Sequence, residues 1–179
     1  MKNFKARGLL AVIILSAAIV GCGVQGKPDS NLGSTAAPTA SPTPEPTPVL
    51  NEKEAIIYLT DAELLETVEQ PVKLNYETES DLVKAAIAEL QKDAGENALS
   101  LWKPIEVKTV ELADGLVTLD IHLPDEARLG APGEMFVIET LKKTLFQFDF
   151  VKSIELLVDG AEIETLMGHV ELEHPMNKE

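Results

Sequence analysis

The chain has 179 residues, 30 acidic and 15 basic side chains, a formal charge of −15, and an apolar content of 45%. That length allows one domain with extensions or two very small domains, and a single cysteine excludes an internal disulfide or a cysteine-rich zinc module. The acidic balance argues against nucleic acid, whose affinity rests on Lys and Arg neutralising phosphates, and against electrostatic docking on anionic lipid.

Met1 to Arg7 carries Lys2, Lys5 and Arg7 with no acid, and an apolar run follows from Leu9 to Val20. A basic head, a short apolar stretch and a small residue before a cut describe a secretory signal peptide over residues 1–21. The run is too short for a transmembrane helix, which needs about 20 apolar residues. Ile19-Val20-Gly21-Cys22 resembles the bacterial lipoprotein box, which implies that Cys22 receives a diacylglyceryl group and becomes the first mature residue. The alternative is an ordinary secreted protein with a thiol near the cut. Losing Lys2, Lys5 and Arg7 takes the formal charge from −15 to −18.

Residues 22–51 then read as a tether. Pro28, Pro38, Pro42, Pro44, Pro46 and Pro48 alternate with Thr, Ser, Ala and Gly, and large apolar residues are scarce. Such a segment buries too little surface to offset its ordering entropy and is expected to stay disordered. As a flexible coil of this length it spans ~30 Å, and at most ~90 Å when extended.

Residues 52–179 are a normal single-domain length. Ala55 to Leu59 is a β-prone apolar run, and Glu63 to Asn75 is ambiguous, with Val68, Val72 and Leu74 suggesting extended chain and Pro71 opposing a continuous helix. Thr78 to Asp81 supplies capping chemistry for a helix whose face is Val83, Ile87, Leu90 and Ala94, ending at Gly95. Val107 to Leu112 and Val117 to Leu123 flank Asp114-Gly115, a hairpin signature because glycine accepts positive φ in the tight turn. Gly130 to Gly133 opens a second helix with the stripe Met135, Ile138, Leu141, Leu145 and Phe148. Ser153 to Val158 reads as a strand, and Glu162 to Leu172 as a further extended piece. The order is β-α-β-β-α-β, which predicts an α+β two-layer sandwich with both helices on one face of a mixed sheet.

No catalytic constellation emerges. His169, Glu171 and Glu173 alternate, so a strand would present them together beside His174 as divalent-metal ligands; in so acidic a chain a solvated face is expected instead, and no metal or cofactor is assigned. His122 and Asp120 share a strand face, yet Ser80, Ser100 and Ser153 fall at a helix start, a loop and a strand start, so no nucleophile triad is expected. Asp125-Glu126 sits in a loop, and Gly130-Ala131-Pro132-Gly133 lacks the lysine and strand–helix context of a phosphate loop. Trp102 is the candidate partner contact, against the alternative that it packs beneath the hairpin.

Several stretches together carry a family resemblance: Ile57-Tyr58-Leu59-Thr60-Asp61, Trp102-Lys103-Pro104, Asp114 to Asp120, Thr144-Leu145, Val151 to Gly160, and Thr165 to His169 with Pro175. In this order and spacing they resemble the germane (GerMN) domain of sporulation and spore-germination proteins. The resemblance implies a non-enzymatic module, related in fold to ring-building modules of the channel between mother cell and forespore. The expected protein is a lipid-anchored, extracytoplasmic lipoprotein of a spore-forming, Gram-positive bacterium. It would act by protein contact rather than chemistry, with exposed sheet edges as sites for pairing. A charge of −18 opposes bare self-association, so a partner protein is expected before a ring of identical copies. The competing reading is a lipid-anchored binding protein for a small ligand, metal or cell-wall fragment.

Overall fold

The structure is a computed structural model that describes residues 50–179; the expected signal peptide, Cys22 and the tether to residue 49 lie outside the described residues. Strands β1 (Asn51–Thr60) and β2 (Thr67–Tyr76) pair antiparallel, from Asn51↔Tyr76 to Thr60↔Thr67. The segment that was ambiguous in sequence is thus a strand running straight through Pro71. Opposite Pro71 stands Ile56, whose N–H and C=O point away from β2 and bond Gln147 at 2.8 and 2.7 Å. The Ile56–Pro71 pair is therefore a non-hydrogen-bonded one, and the donor that proline lacks would have faced the open edge.

Helix α1 (Glu79–Leu90) starts at a reciprocal capping box between Thr78 and Asp81 and buries Leu82, Val83, Ala86, Ile87 and Leu90. It ends before Ala94, earlier than expected. The reason is tertiary: the Ser100 hydroxyl donates to the Leu90 carbonyl, and the Gln91 amide donates to the Ile105 carbonyl at 2.7 Å. The serine satisfies an end carbonyl that another turn would otherwise have satisfied, and the glutamine ties the end of the helix to the segment before β3.

The hairpin of β3 (Glu106–Ala113) and β4 (Leu116–His122) forms as expected, with Asp114 at φ 53° and Gly115 at φ 89°. A Cβ on Gly115 would lie 2.9 Å from the Phe150 carbonyl oxygen, so this glycine serves both the turn and a close backbone approach. Helix α2 (Ala131–Phe146) begins with Pro132 in its first turn and leads to β5 (Ser153–Val158), which runs parallel to β4. The chain then crosses as a strap, residues 159–175, and returns as β6 (Met176–Asn177), antiparallel to the start of β5. Glu162 to Leu172 is not a strand. Apart from a Thr165–Glu171 bridge it is irregular, held by side-chain ties and by buried Leu166 and Leu172.

The four-stranded sheet is mixed, ordered β3-β4-β5-β6, and the class is α+β as expected. Val117, Leu119 and Ile121 alternate inward from β4 and join Leu82, Ile87, Leu141 and Leu145 of the helices in one core. The β1–β2 ladder is not part of that sheet. The outward edge of β1 faces α2 instead, whose Thr144 hydroxyl accepts the Tyr58 N–H at 3.1 Å and whose neighbour Gln147 clamps Ile56. The α2 stripe holds for Ile138, Leu141 and Leu145, but Met135 is 48% exposed.

Candidate interaction face

Trp102 is not a surface anchor. It is fully buried, and its indole N–H donates to the Val137 carbonyl at 3.0 Å. A tryptophan satisfied in this way belongs to the core, so the candidate partner contact is corrected to a packing residue.

The sheet edges, expected to be open for pairing, are largely managed. Beyond the cover on β1, β2 carries Pro71 on its free edge, and β5 is closed by β6 and by an Ala161 bridge to Val158. Among the described residues β3 pairs only with β4, but its ladder is broken by a bulge between Val107 and Thr109, with Lys108 at the irregularity. Proline, bulges, charge and covering segments are the devices that discourage edge-to-edge addition.

The histidines and acids of the C-terminal run do not converge. Glu134, in the first turn of α2, is fully buried; its carboxylate accepts the N–H of Met167 at 2.7 Å and both the N–H and Nδ1–H of His169, at 2.9 and 2.8 Å. Burial alone would push this carboxyl up, but the strap amides of Met167, Val170 and His169 and the imidazole outweigh it and hold the acid below its usual range. His174 is tied separately, to Glu155 on β5 and to the Ile163 carbonyl. His122 pairs with Asp159 at 3.0 Å, and that hydrogen bond, with the charge of Asp159, raises the imidazole above its ordinary range. Asp120 accepts the Gly160 N–H at 2.8 Å. Among the described residues, no three His, Cys, Asp or Glu side chains are placed to hold a metal ion. Ser100 is bound within the core, and Asp125 pairs with Arg128 at 3.6 Å in a short 3-10 turn.

The feature that the sequence reading missed is a groove beside α2. Its cavity of about 470 Å³ has an apolar floor of Met135, Ile138, Phe146 and Val170 and a rim of mixed charge, with Lys142, Lys143 and Lys178 beside Glu139 and Glu179. Lys143 on the same rim is engaged, 2.7 Å from Glu139 and 5.6 Å from the Tyr58 ring centroid. Lys178 donates to the Phe148 carbonyl at 3.2 Å, while Lys142 makes no ion pair among the described residues. One wall is helix and the other is the end of the strap, so no local periodicity could reveal it. The signal that was available is Met135, at the margin of the helical stripe.

Comparison with known families closes the question of kinship: the Germane family, described as sporulation and spore germination, matches residues 56–164. The chain belongs to the Germane family. Among solved structures, the first GerMN domain of the sporulation protein GerM from Bacillus subtilis is 18% identical with a TM-score of 0.53, covering 70% of this chain and 98% of that one. A candidate lipoprotein from Clostridium perfringens is 19% identical with a TM-score of 0.50, covering 72% and 88%. At such identities the likeness shows a shared fold. Comparison with curated proteins gave no match. The Germane match starts inside β1 and stops at residue 164, so it includes α2 and Glu134 but not His169, Val170, His174 or Lys178. The groove is therefore built partly from the matched Germane segment, on α2, and partly from the tail beyond it.

Proposed function

We propose that this chain is a lipid-anchored, extracytoplasmic Germane protein that works by contact, as an interaction module in sporulation or spore germination. The N-terminal sequence supports the address: Cys22 follows a basic head and an apolar run, and a proline-rich tether separates it from the folded domain. Among the described residues no helix is long and apolar enough to cross a membrane. The observation that carries the contact reading is the groove beside α2, an apolar floor left open on a strongly acidic chain. Its occupant is an acidic segment of a partner protein that seats apolar side chains on Met135 and Ile138 and meets Lys142 with a carboxylate. The histidines support the same reading, since each is spent on a structural tie.

A Met135→Asp, Lys142→Glu variant of the full chain tests it in a sporulation and germination assay. Activity is expected to fall sharply while the circular dichroism spectrum and membrane attachment stay unchanged. Full activity in that variant refutes the groove as the contact site. The cavity volume also lies within the range of small-molecule sites, which favours a bound ligand as the second reading. Saturable binding of a small apolar anion, lost in the same variant, would select it. For the anchor, Cys22→Ser is expected to abolish lipid labelling, and continued labelling would end the lipoprotein reading.

A further inference from the structure

The strap leaves β5 at Asp159-Gly160, where both residues have positive φ, and is held on the domain by two histidine–carboxylate ties of different kinds. At His174 both ring nitrogens face oxygen acceptors: Nδ1 lies 2.5 Å from Glu155 Oε1, and Nε2 lies 2.8 Å from the Ile163 carbonyl oxygen. A neutral imidazole has one N–H, so it would leave one nitrogen lone pair against an oxygen lone pair. The arrangement therefore requires an imidazolium, and the pair is sheltered, with side-chain exposures of 19% and 14%. Glu155 on β5 and Glu162 on the strap are the charged groups that act on the ring, and both are acidic.

We propose that the end of the strap is a pH-operated latch, closed while His174 is an imidazolium bridging Glu155 and the Ile163 carbonyl, and released when that ring loses its proton. The hydrogen bond to Glu155, then the Ile163 carbonyl and the two acidic charges, raise the ring above its ordinary range despite partial burial. A raised folded-state value means that the tie is fully present below the unfolded histidine range and is lost as pH rises through the raised value. The other tie behaves differently. Glu134 stays ionised as pH rises and keeps the Met167 and His169 amides, so the strap remains pinned at its middle. The Val170 amide on Glu134, the Thr165–Glu171 bridge and the Leu172 N–H on the Glu164 carbonyl at 2.9 Å extend that pin to residue 172, so the part set free is residues 173–179. Its departure uncovers the β5 edge at Ser153–Ile154, which β6 now pairs, and removes Asn177 and Lys178 from the groove wall. Only this last consequence rests on the contact reading above; the latch itself does not.

The test is amide hydrogen exchange of the full lipidated chain in detergent micelles, from about pH 6 to about pH 9.5, corrected for the intrinsic rise of exchange with pH. Corrected protection of residues 173–178 is expected to fall about tenfold for each unit by which the His174 value exceeds that of the unfolded chain, while residues 116–122 stay level. Glu155→Gln is expected to move the midpoint to lower pH, and His174→Gln to leave residues 173–178 weakly protected with no midpoint. Ring nitrogen shifts should show both His174 nitrogens protonated at neutral pH. Level protection through the whole range, a midpoint unmoved in Glu155→Gln, or a single neutral tautomer at neutral pH would each overturn the latch. Loss of sporulation activity in the groove variant does not bear on it.

Discussion

Replacing Glu134 probes the residue that joins the Germane helix to the strap. Its carboxylate accepts from the Met167 amide at 2.7 Å and from the His169 amide and imidazole at 2.9 and 2.8 Å, with the Val170 amide also turned to it, while having no exposure itself. A hydrogen bond to an ionised group contributes about 1.5–3 kcal/mol. The His169 side chain is 42% exposed and recovers most of its bond from water, so the Met167 and His169 amides carry the loss. Glu134→Ala is therefore expected to cost about 3–6 kcal/mol, the worth of two hydrogen bonds to a charged group. Glu134→Gln keeps one acceptor but turns an amide N–H2 toward a strap donor, for a cost of roughly 2–3 kcal/mol. The sign with pH follows from the lowered value of this acid. Its contribution is complete above the unfolded carboxylate value and is lost as pH falls through the folded one, so the gap between native chain and variant must narrow in acid. Urea unfolding at neutral and acidic pH measures it, with fluorescence of the single, fully buried Trp102 as the probe. A cost under about 1 kcal/mol at neutral pH, or a gap that does not narrow on acidification, would refute the reasoning.

Leu141→Ala, at a fully buried α2 position, is expected to cost about 2–5 kcal/mol, whereas Lys142→Ala beside it should cost under about 1 kcal/mol; equal costs in urea unfolding would mean that the helix face is misassigned. Gly115→Ala combines positive φ with a Cβ 2.9 Å from the Phe150 oxygen and is expected to cost roughly 1–3 kcal/mol, read from the shift in thermal midpoint. Thr78→Ala removes the capping box of α1 and should lower stability by about 1 kcal/mol, with an unchanged midpoint counting against the cap.

Short-range chemistry was legible in the amino-acid order. Alternation about Asp114-Gly115 announced the β3–β4 hairpin, because the turn needs residues that accept positive φ and the flanking period of two separates core from solvent. The Thr78–Asp81 cap and the α2 stripe at Ile138, Leu141 and Leu145 were equally local. The basic head, apolar run and Cys22 are likewise a matter of order and composition alone. Contacts between distant residues were not legible. Pro71 lies within a strand because Gln147, far along the chain, takes the polar groups of Ile56. Trp102 is internal because the Val137 carbonyl receives its indole, and α1 stops early because Ser100 reaches back to Leu90. His169 and His174 look alike in sequence, two histidines in an acidic tail. Only the fold sends one to Glu134 on α2 and the other to Glu155 on β5, and so decides that the first tie rests on backbone amides and the second on a proton.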